Sequence, residues 1–163
     1  MERLMRFGLL VVACSIFCQV GYAAESPVGA VNHLYHDFAW EAVGAPSSKH
    51  GLAQQPKAIL LRYFTPQLSA ALAADAECAA RTQEICALDF LPLWASQDPA
   101  ATNLQVTPGA QSGQVKVRYI YPPTGAVVVL RYRLLQTKAG WRVSDIVYPS
   151  GESLASLLAG TSR

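Results

Sequence analysis

The chain has 163 residues, of which 52% are hydrophobic and 15% are charged. This composition excludes a disordered chain, and the length favours a single domain. The formal net charge of +2 gives the protein no general electrostatic attraction to nucleic acid or to an anionic membrane, so no nucleic-acid partner is expected.

Residues 1–23 predict a cleaved signal peptide. A short basic segment, MERLMR, precedes the apolar run FGLLVVACSIFCQV, and Gly21 and Ala23 supply the small side chains of a cleavage site. The apolar run is shorter than the ~20 residues of a spanning helix, so no stable membrane span is expected after cleavage. The alternatives are an uncleaved anchor and a lipid anchor on Cys14, which follows a loose lipobox. The sequence therefore predicts one mature domain, residues 24–163, in the periplasm or secreted.

Two cysteines remain in the mature chain, Cys78 and Cys86. An even cysteine count in an oxidising compartment favours a disulfide, and only one pairing exists. A metal site or a redox pair is the alternative, but the spacing is wider than C-x-x-C and no second pair of Cys or His ligands lies nearby in the sequence. We therefore predict a structural disulfide and no metal site.

Two helix starts are predicted from capping chemistry. Ser26-Pro27 and Thr65-Pro66 each place a hydroxyl before a proline, which needs no N–H in the first turn. The first helix should end near Gly44-Ala45-Pro46, and a second helical segment that carries Ile59, Leu60 and Tyr63 should begin around Pro56. One apolar face of the first helix is predicted by helical spacing and comprises Val31, Leu34, Tyr35, Phe38 and Ala42.

The later part of the chain predicts a sheet. Residues 88–100 read as a packed connection, and LQV at 104–106 as a short strand. Apolar and polar residues then alternate along VKVRYIY and VVVLRYRLLQ, and a last strand runs from Trp141 to Tyr148. Ser150 is expected to cap a terminal helix. The predicted fold class is α+β, with N-terminal helices packed on a curved antiparallel sheet.

Three segments carry a family resemblance: LRYFTPQLSAAL, LDFLPLWASQD and GWRVSDIVYPSGESLASLL. Through them the chain resembles a family of exported bacterial proteins, a domain-of-unknown-function family in the cystatin-like, nuclear-transport-factor-like cone superfamily. The resemblance covers nearly the whole mature chain and implies a single cone-type domain. The superfamily includes isomerases, dehydratases, ligand binders and interaction modules, so the resemblance indicates fold better than function. Members of the narrower family look like accessory proteins of the periplasm, and some similar small proteins neutralise toxins.

Cations recur along the predicted strands and predict a basic stripe: Lys116, Arg118, Arg131, Arg133 and Arg142. Tyr119, Tyr121 and Tyr132 are expected to stand beside it. Because Tyr and Arg are enriched in interfaces, we predict a partner surface. Its binding residues are Arg118, Arg131, Arg133, Tyr119 and Tyr132. The alternative is a solvated outer face that discourages edge pairing of the sheet.

The other titratable residues have two readings each. His33, His36 and Asp37 share the first helix and form either a metal or acid/base corner or a solvated surface. Asp145 is interpreted as a structural carboxylate at a bulge or strand end, although the cone superfamily uses such a carboxylate as a base. Asp89 and Asp98 read as turn residues rather than a pocket pair, and His50 lies in a loop.

No nucleotide-binding, nucleophile-elbow or zinc-protease motif occurs, so no catalytic residue and no cofactor are predicted. The sequence favours a non-catalytic periplasmic binding protein whose partner is a protein or a cell-envelope component. The alternative is a small-molecule binder, or a cone-type lyase or isomerase, with a pocket between helices and sheet.

Overall fold

The computed structural model describes residues 26–43 and 50–160. The predicted signal peptide, Cys14, the start at Ala24 and the Gly44-Ala45-Pro46 helix end lie outside these residues. No helix within the described ranges is both long and apolar enough to cross a membrane. The elements follow in chain order: α1 (Pro27–Phe38), α2 (Lys57–Leu60), α3 (Pro66–Thr82), β1 (Thr102–Pro108), β2 (Gln114–Tyr121), β3 (Ala126–Thr137), β4 (Gly140–Val147) and α4 (Leu154–Ala159).

The four strands form one antiparallel sheet in the order β1-β2-β3-β4, and the helices pack against one of its faces. This arrangement confirms the predicted α+β class. The predicted LQV strand is part of the longer β1. We call the sheet face under the helices the inner face and the opposite one the outer face.

Both predicted helix caps are present. The Ser26 hydroxyl accepts a hydrogen bond from the Gly29 N–H at 3.0 Å, and the Thr65 hydroxyl accepts one from the Leu68 N–H at 3.4 Å. Helix α1 continues as a 3-10 turn, Ala39–Ala42, and its predicted apolar face is buried throughout. These caps satisfy N–H groups that the first turn of a helix leaves without partners.

Helix α2 is a single turn because the chain then pairs with the sheet edge. Phe64 forms a parallel bridge with Val143: the Thr65 N–H donates to the Val143 carbonyl at 2.9 Å, and the Val143 N–H donates to the Tyr63 carbonyl at 2.8 Å. An extended segment of this kind cannot remain helical. The edge of β4 is thereby closed to further pairing at this point.

A bulge in β4 positions Asp145. Arg133 pairs with Asp145 and Leu134 pairs with Val143, so Ser144 has no residue opposite it. The Asp145 carboxylate accepts hydrogen bonds from the N–H groups of Ile146 at 2.9 Å and Ala155 at 3.0 Å. The structural interpretation of Asp145 is confirmed, because it joins the bulge to the first turn of α4.

The cap of α4 corrects one prediction. Ser153, not Ser150, caps the helix, through a hydrogen bond from the Ser156 N–H to the Ser153 hydroxyl at 3.3 Å. The chain first turns back on β4, where the Tyr148 N–H donates to the Glu152 carbonyl at 2.9 Å. That turn delays the helix start, and the Ser150 hydroxyl accepts from the Glu152 N–H instead.

Two further expectations concern the last turns of α3 and the segment that follows it. The sulfur atoms of Cys78 and Cys86 lie 1.97 Å apart, at bonding distance, as predicted. Residues 88–100 form a packed connection with a short antiparallel bridge between Leu91 and Ser96. This connection contributes the buried side chains of Leu93 and Trp94 to the core.

Candidate functional site

Aromatic rings fill the space between α1 and the inner face. The ring of Trp94 meets Tyr35 edge-on at a centroid distance of 5.2 Å and Tyr119 at 5.7 Å, and Tyr35 meets Tyr132 at 6.1 Å. Edge-to-face contacts of this kind are a favoured aromatic geometry. The four rings occupy the space between α1 and the inner face of β2 and β3, which is one place where the alternative function would put a ligand pocket.

The hydroxyl groups of these rings hydrogen-bond to each other and to the backbone. Tyr35 donates its single hydroxyl hydrogen to the Leu93 carbonyl at 2.8 Å, so Tyr132 is the donor in the 2.8 Å contact between the two hydroxyls. Tyr119 donates to the Trp94 carbonyl. Burial raises the pKa of Tyr119 to about 12 and the pKa values of Tyr35 and Tyr132 well above their usual value. These hydroxyls therefore remain protonated and serve the packing of the core.

The tyrosines correct the predicted partner surface. Tyr119 is 1% and Tyr132 0% exposed, and both face the core rather than the cations. Successive residues of a strand point to opposite faces, so Tyr119 cannot share a face with its neighbour Arg118. Tyr121 is half-buried at the end of β2, where its hydroxyl donates to the Asp98 carbonyl at 3.4 Å. The expected placement of the tyrosines beside the cations is wrong.

Glu41 is a buried carboxylate that the sequence analysis missed. Its Oε1 accepts from the Leu52 N–H at 2.7 Å and its Oε2 from the Trp94 Nε1–H at 3.0 Å. Burial raises its pKa, and these two hydrogen bonds oppose that shift. The available signal was its position, three residues beyond Phe38 on the apolar face of α1. Among the described residues no buried side-chain nitrogen or oxygen lacks a partner.

The outer face carries a cluster of cations on β2 and β3, which we call the cationic face: Lys116, Arg118, Arg131 and Arg133. Lys116 pairs directly with Arg131, and both are exposed. Like charges directly opposite each other destabilise an antiparallel pair. The stability of the sheet therefore gives no reason for this pair.

A single carboxylate accompanies the cationic face. Asp145 is the only acidic residue in the four strands, and its Oδ2 accepts from Arg133 Nη1 at 3.3 Å. Exposed apolar side chains flank the cations on β3, with Val127 51% and Leu135 57% exposed. Three of the four cations are arginines, and arginine is enriched in protein interfaces, so the cationic face is a candidate interface.

Arg142, the fifth cation of the predicted stripe, lies elsewhere. Its Nε donates to the Leu61 carbonyl at 3.1 Å and its Nη1 to the Trp141 carbonyl at 2.8 Å. The guanidinium thus reaches around the sheet edge to the segment that pairs with β4. It does not belong to the cationic face.

The polar residues of α1 meet the turn after α2. Asp37 Oδ2 accepts from the Tyr63 hydroxyl, and Asp37 Oδ1 lies 3.1 Å from His36 Nδ1. The hydrogen bond from Tyr63 is the main cause that lowers the pKa of Asp37. Within the described ranges no group of three or more His, Cys, Asp or Glu residues could hold a metal ion.

The other polar residues considered in the sequence, Asp89, Asp98 and His50, belong neither to the cationic face nor to the polar residues of α1. Asp89 Oδ2 accepts from the Gln97 side chain at 3.3 Å, in keeping with a turn residue. The Asp98 carbonyl accepts from Tyr121, and the His50 carbonyl accepts from the Gln55 side chain.

Comparison with known proteins does not assign this chain to a family. No family model and no curated protein matches the chain. A solved structure that resembles it is a phospholipid-binding protein from Ralstonia solanacearum in complex with a phospholipid, 18% identical over 83% of this chain and 70% of that chain, with a TM-score of 0.33. A likeness at this level assigns neither a fold family nor a ligand. The relation to the exported cone-type family stays a prediction.

Proposed function

We propose that this protein is an exported, non-catalytic binding module that holds an acidic protein partner against its cationic face. The observation that carries the proposal is the direct pairing of Lys116 with Arg131 on exposed strands. Such a pair weakens the isolated sheet, and an acidic partner would turn the repulsion into attraction.

The filled interior supports binding over catalysis. A lyase or isomerase acting between helices and sheet needs an open space with a group that titrates near neutral pH. Four aromatic rings occupy the space between α1 and the inner face of β2 and β3, and burial raises the pKa of each of the three tyrosine hydroxyls there.

A protein partner fits the surface better than nucleic acid does. The net charge of the chain is only +2, whereas nucleic-acid binding uses a broad basic footprint. Exposed Val127 and Leu135 next to the cations add apolar area of the kind that protein interfaces bury.

Export is part of the proposal. The predicted signal peptide and the cysteine pair at bonding distance are compatible with an oxidising compartment such as the periplasm. The resemblance to an exported family of cone-type proteins supports the same placement. An accessory or toxin-neutralising role would follow from tight binding of one partner.

The experiment isolates the protein gently from the envelope of its own cells and weighs the complex by native mass spectrometry. The variant K116Q/R131Q removes the opposed pair, and K57Q/R81Q removes one lysine and one arginine, both exposed, on the helices. We expect one acidic polypeptide to stay with the wild type and with K57Q/R81Q. Its affinity for K116Q/R131Q should be at least about tenfold weaker. A polypeptide that K116Q/R131Q retains fully, or a bound molecule of small mass in its place, would contradict the proposal.

A further inference from the structure

A second site lies at the sheet edge, where α1 meets the start of β4. It is a cavity of about 300 Å³. Three separate parts of the chain line it: α1, the turn after α2, and β4. The side chains that matter are His33, His36, Asp37, Arg62, Trp141 and Arg142.

The charges around the cavity are mainly positive. Arg62 and Arg142 bring two guanidinium groups, and Asp37 brings one carboxylate. The two oxygens of this carboxylate accept from Tyr63 and His36 rather than from either arginine. The charge of Arg62 interacts with Asp37, but neither guanidinium group donates a hydrogen bond to this carboxylate, so Arg62 and Nη2 of Arg142 can donate to an anion.

Arg142 is held in place before any ligand binds. Its hydrogen bonds to the Leu61 and Trp141 carbonyls use Nε and Nη1, and Nη2 takes part in neither bond. Arg62 lies over the Tyr63 ring, with 5.7 Å between its Cζ atom and the ring centroid. A fixed guanidinium loses little freedom on binding, which favours affinity.

We propose that this cavity binds a phosphorylated small molecule, with its phosphate between Arg62 and Arg142 and its organic part against Trp141. Two guanidinium groups offer more N–H donors than the two oxygens of one carboxylate can use, whereas a phosphate monoester presents three terminal oxygens. The volume stands at the lower end of the ~300–1,000 Å³ of small-molecule pockets, so an organic group fits beside the phosphate. This site shares no residue with the cationic face and does not depend on the proposed function.

The test follows the Arg142 Nε–H and Trp141 indole N–H signals by NMR while inorganic phosphate, glycerol 3-phosphate or phenyl phosphate is added. R62Q is the main variant, since Arg62 is exposed and Arg142 also anchors the backbone. R81Q on α3 is the matched control. We expect saturable shifts, tightest for phenyl phosphate, with affinity about tenfold weaker in R62Q and unchanged in R81Q.

Vesicles distinguish a soluble ligand from a lipid headgroup. Phosphatidic acid vesicles, with phosphatidylcholine vesicles as the control, test the same phosphate monoester group at a membrane. If the protein binds a soluble phosphate ester or phosphatidic acid vesicles, and R62Q weakens that binding, the site is supported and the source of the phosphate is identified. No saturable shift and no vesicle binding, or binding that R62Q and R81Q affect equally, would overturn it. K116Q/R131Q should leave phosphate binding unchanged, and R62Q should leave partner binding unchanged, so each proposal can fail alone.

Discussion

Strands β2 and β3 present two different faces although their residues alternate one by one. On the inner face, Tyr119, Leu130 and Tyr132 are buried against helices and aromatic rings, and their polar atoms have partners. On the outer face, Lys116 stands opposite Arg131, and both are exposed. The inner face stabilises the fold, while the outer face carries a repulsion that the fold does not require. The inner face therefore serves packing, and the outer face is the one on which we propose that a partner binds.

The largest expected effect compares two neighbours on β3. Leu130 is fully buried, so L130A should lower the free energy of unfolding by ~2–5 kcal/mol. R131A should change it by at most ~0.5 kcal/mol, because its exposed side chain has a like charge opposite. Urea unfolding of both variants measures the difference. A loss in R131A as large as in L130A would break the separation of the two faces.

Reduction of the disulfide should weaken the fold without affecting the cationic face. Loss of the Cys78–Cys86 bond should cost ~2–3 kcal/mol on the chain-entropy estimate. Unfolding of C78S/C86S beside the wild type measures this cost, and a mass gain of two hydrogens on reduction checks the bond itself. Partner binding should be unchanged in the double variant at temperatures where it is folded. Weaker binding by the folded variant would mean that the two regions are coupled.

Glu41 should make the free energy of unfolding depend on pH. Burial raises its pKa in the folded state above the ordinary value of 4.5, so between the two values the folded protein binds more protons than the unfolded one. The contribution of Glu41 to the free energy of unfolding therefore falls as the pH rises from its unfolded pKa through its folded pKa. E41Q should remove this slope, and it should also lose ~1–3 kcal/mol because its amide cannot accept from both the Leu52 and Trp94 N–H groups.

The measurement is urea unfolding of wild type and E41Q between about pH 4 and pH 7. The difference between the two proteins should shrink as pH rises, because the wild type loses stability through the Glu41 window. A difference that stays constant with pH would show that Glu41 titrates alike in both states.

The smallest effect concerns Asp37 at the sheet edge. Because the pKa of Asp37 is lowered in the folded state, the group stabilises the fold when the pH is above its unfolded pKa. This stabilisation is lost as the pH falls through its folded pKa. Because the Tyr63 hydrogen bond is the first cause of the lowered pKa, Y63F should raise the pKa of Asp37 toward its usual range. NMR titration of the Asp37 carboxyl carbon measures this change. An unaltered titration in Y63F would contradict the assigned hydrogen bond.

Local patterns in the sequence predict much of this fold. Period-two alternation predicts the two faces of β2 and β3, and the Ser-Pro and Thr-Pro pairs predict two helix starts. The same alternation already places Tyr119 and Arg118 on opposite faces of the sheet, and the buried position of Tyr119 follows this alternation rather than the enrichment of tyrosine in interfaces.

The other misses arise from long-range pairing. Helix α2 ends early because Phe64, which follows it, pairs with Val143. The position of Arg142 depends on its hydrogen bond to the distant Leu61 carbonyl. No local pattern encodes either contact. The cavity could not be predicted for the same reason, because Arg62 and Arg142 meet His36 only through the fold.

The most direct test of the separation of the faces is photo-cross-linking in the cells that make the protein. A photoreactive residue replaces Val127 or Leu135, which are exposed apolar residues next to the cations, or Ile85, which is 69% exposed after α3. We expect one cross-linked acidic protein from positions 127 and 135, lost in K116Q/R131Q, and none from position 85. Equal cross-linking from all three positions, or cross-linking from position 85 alone, would contradict this expectation.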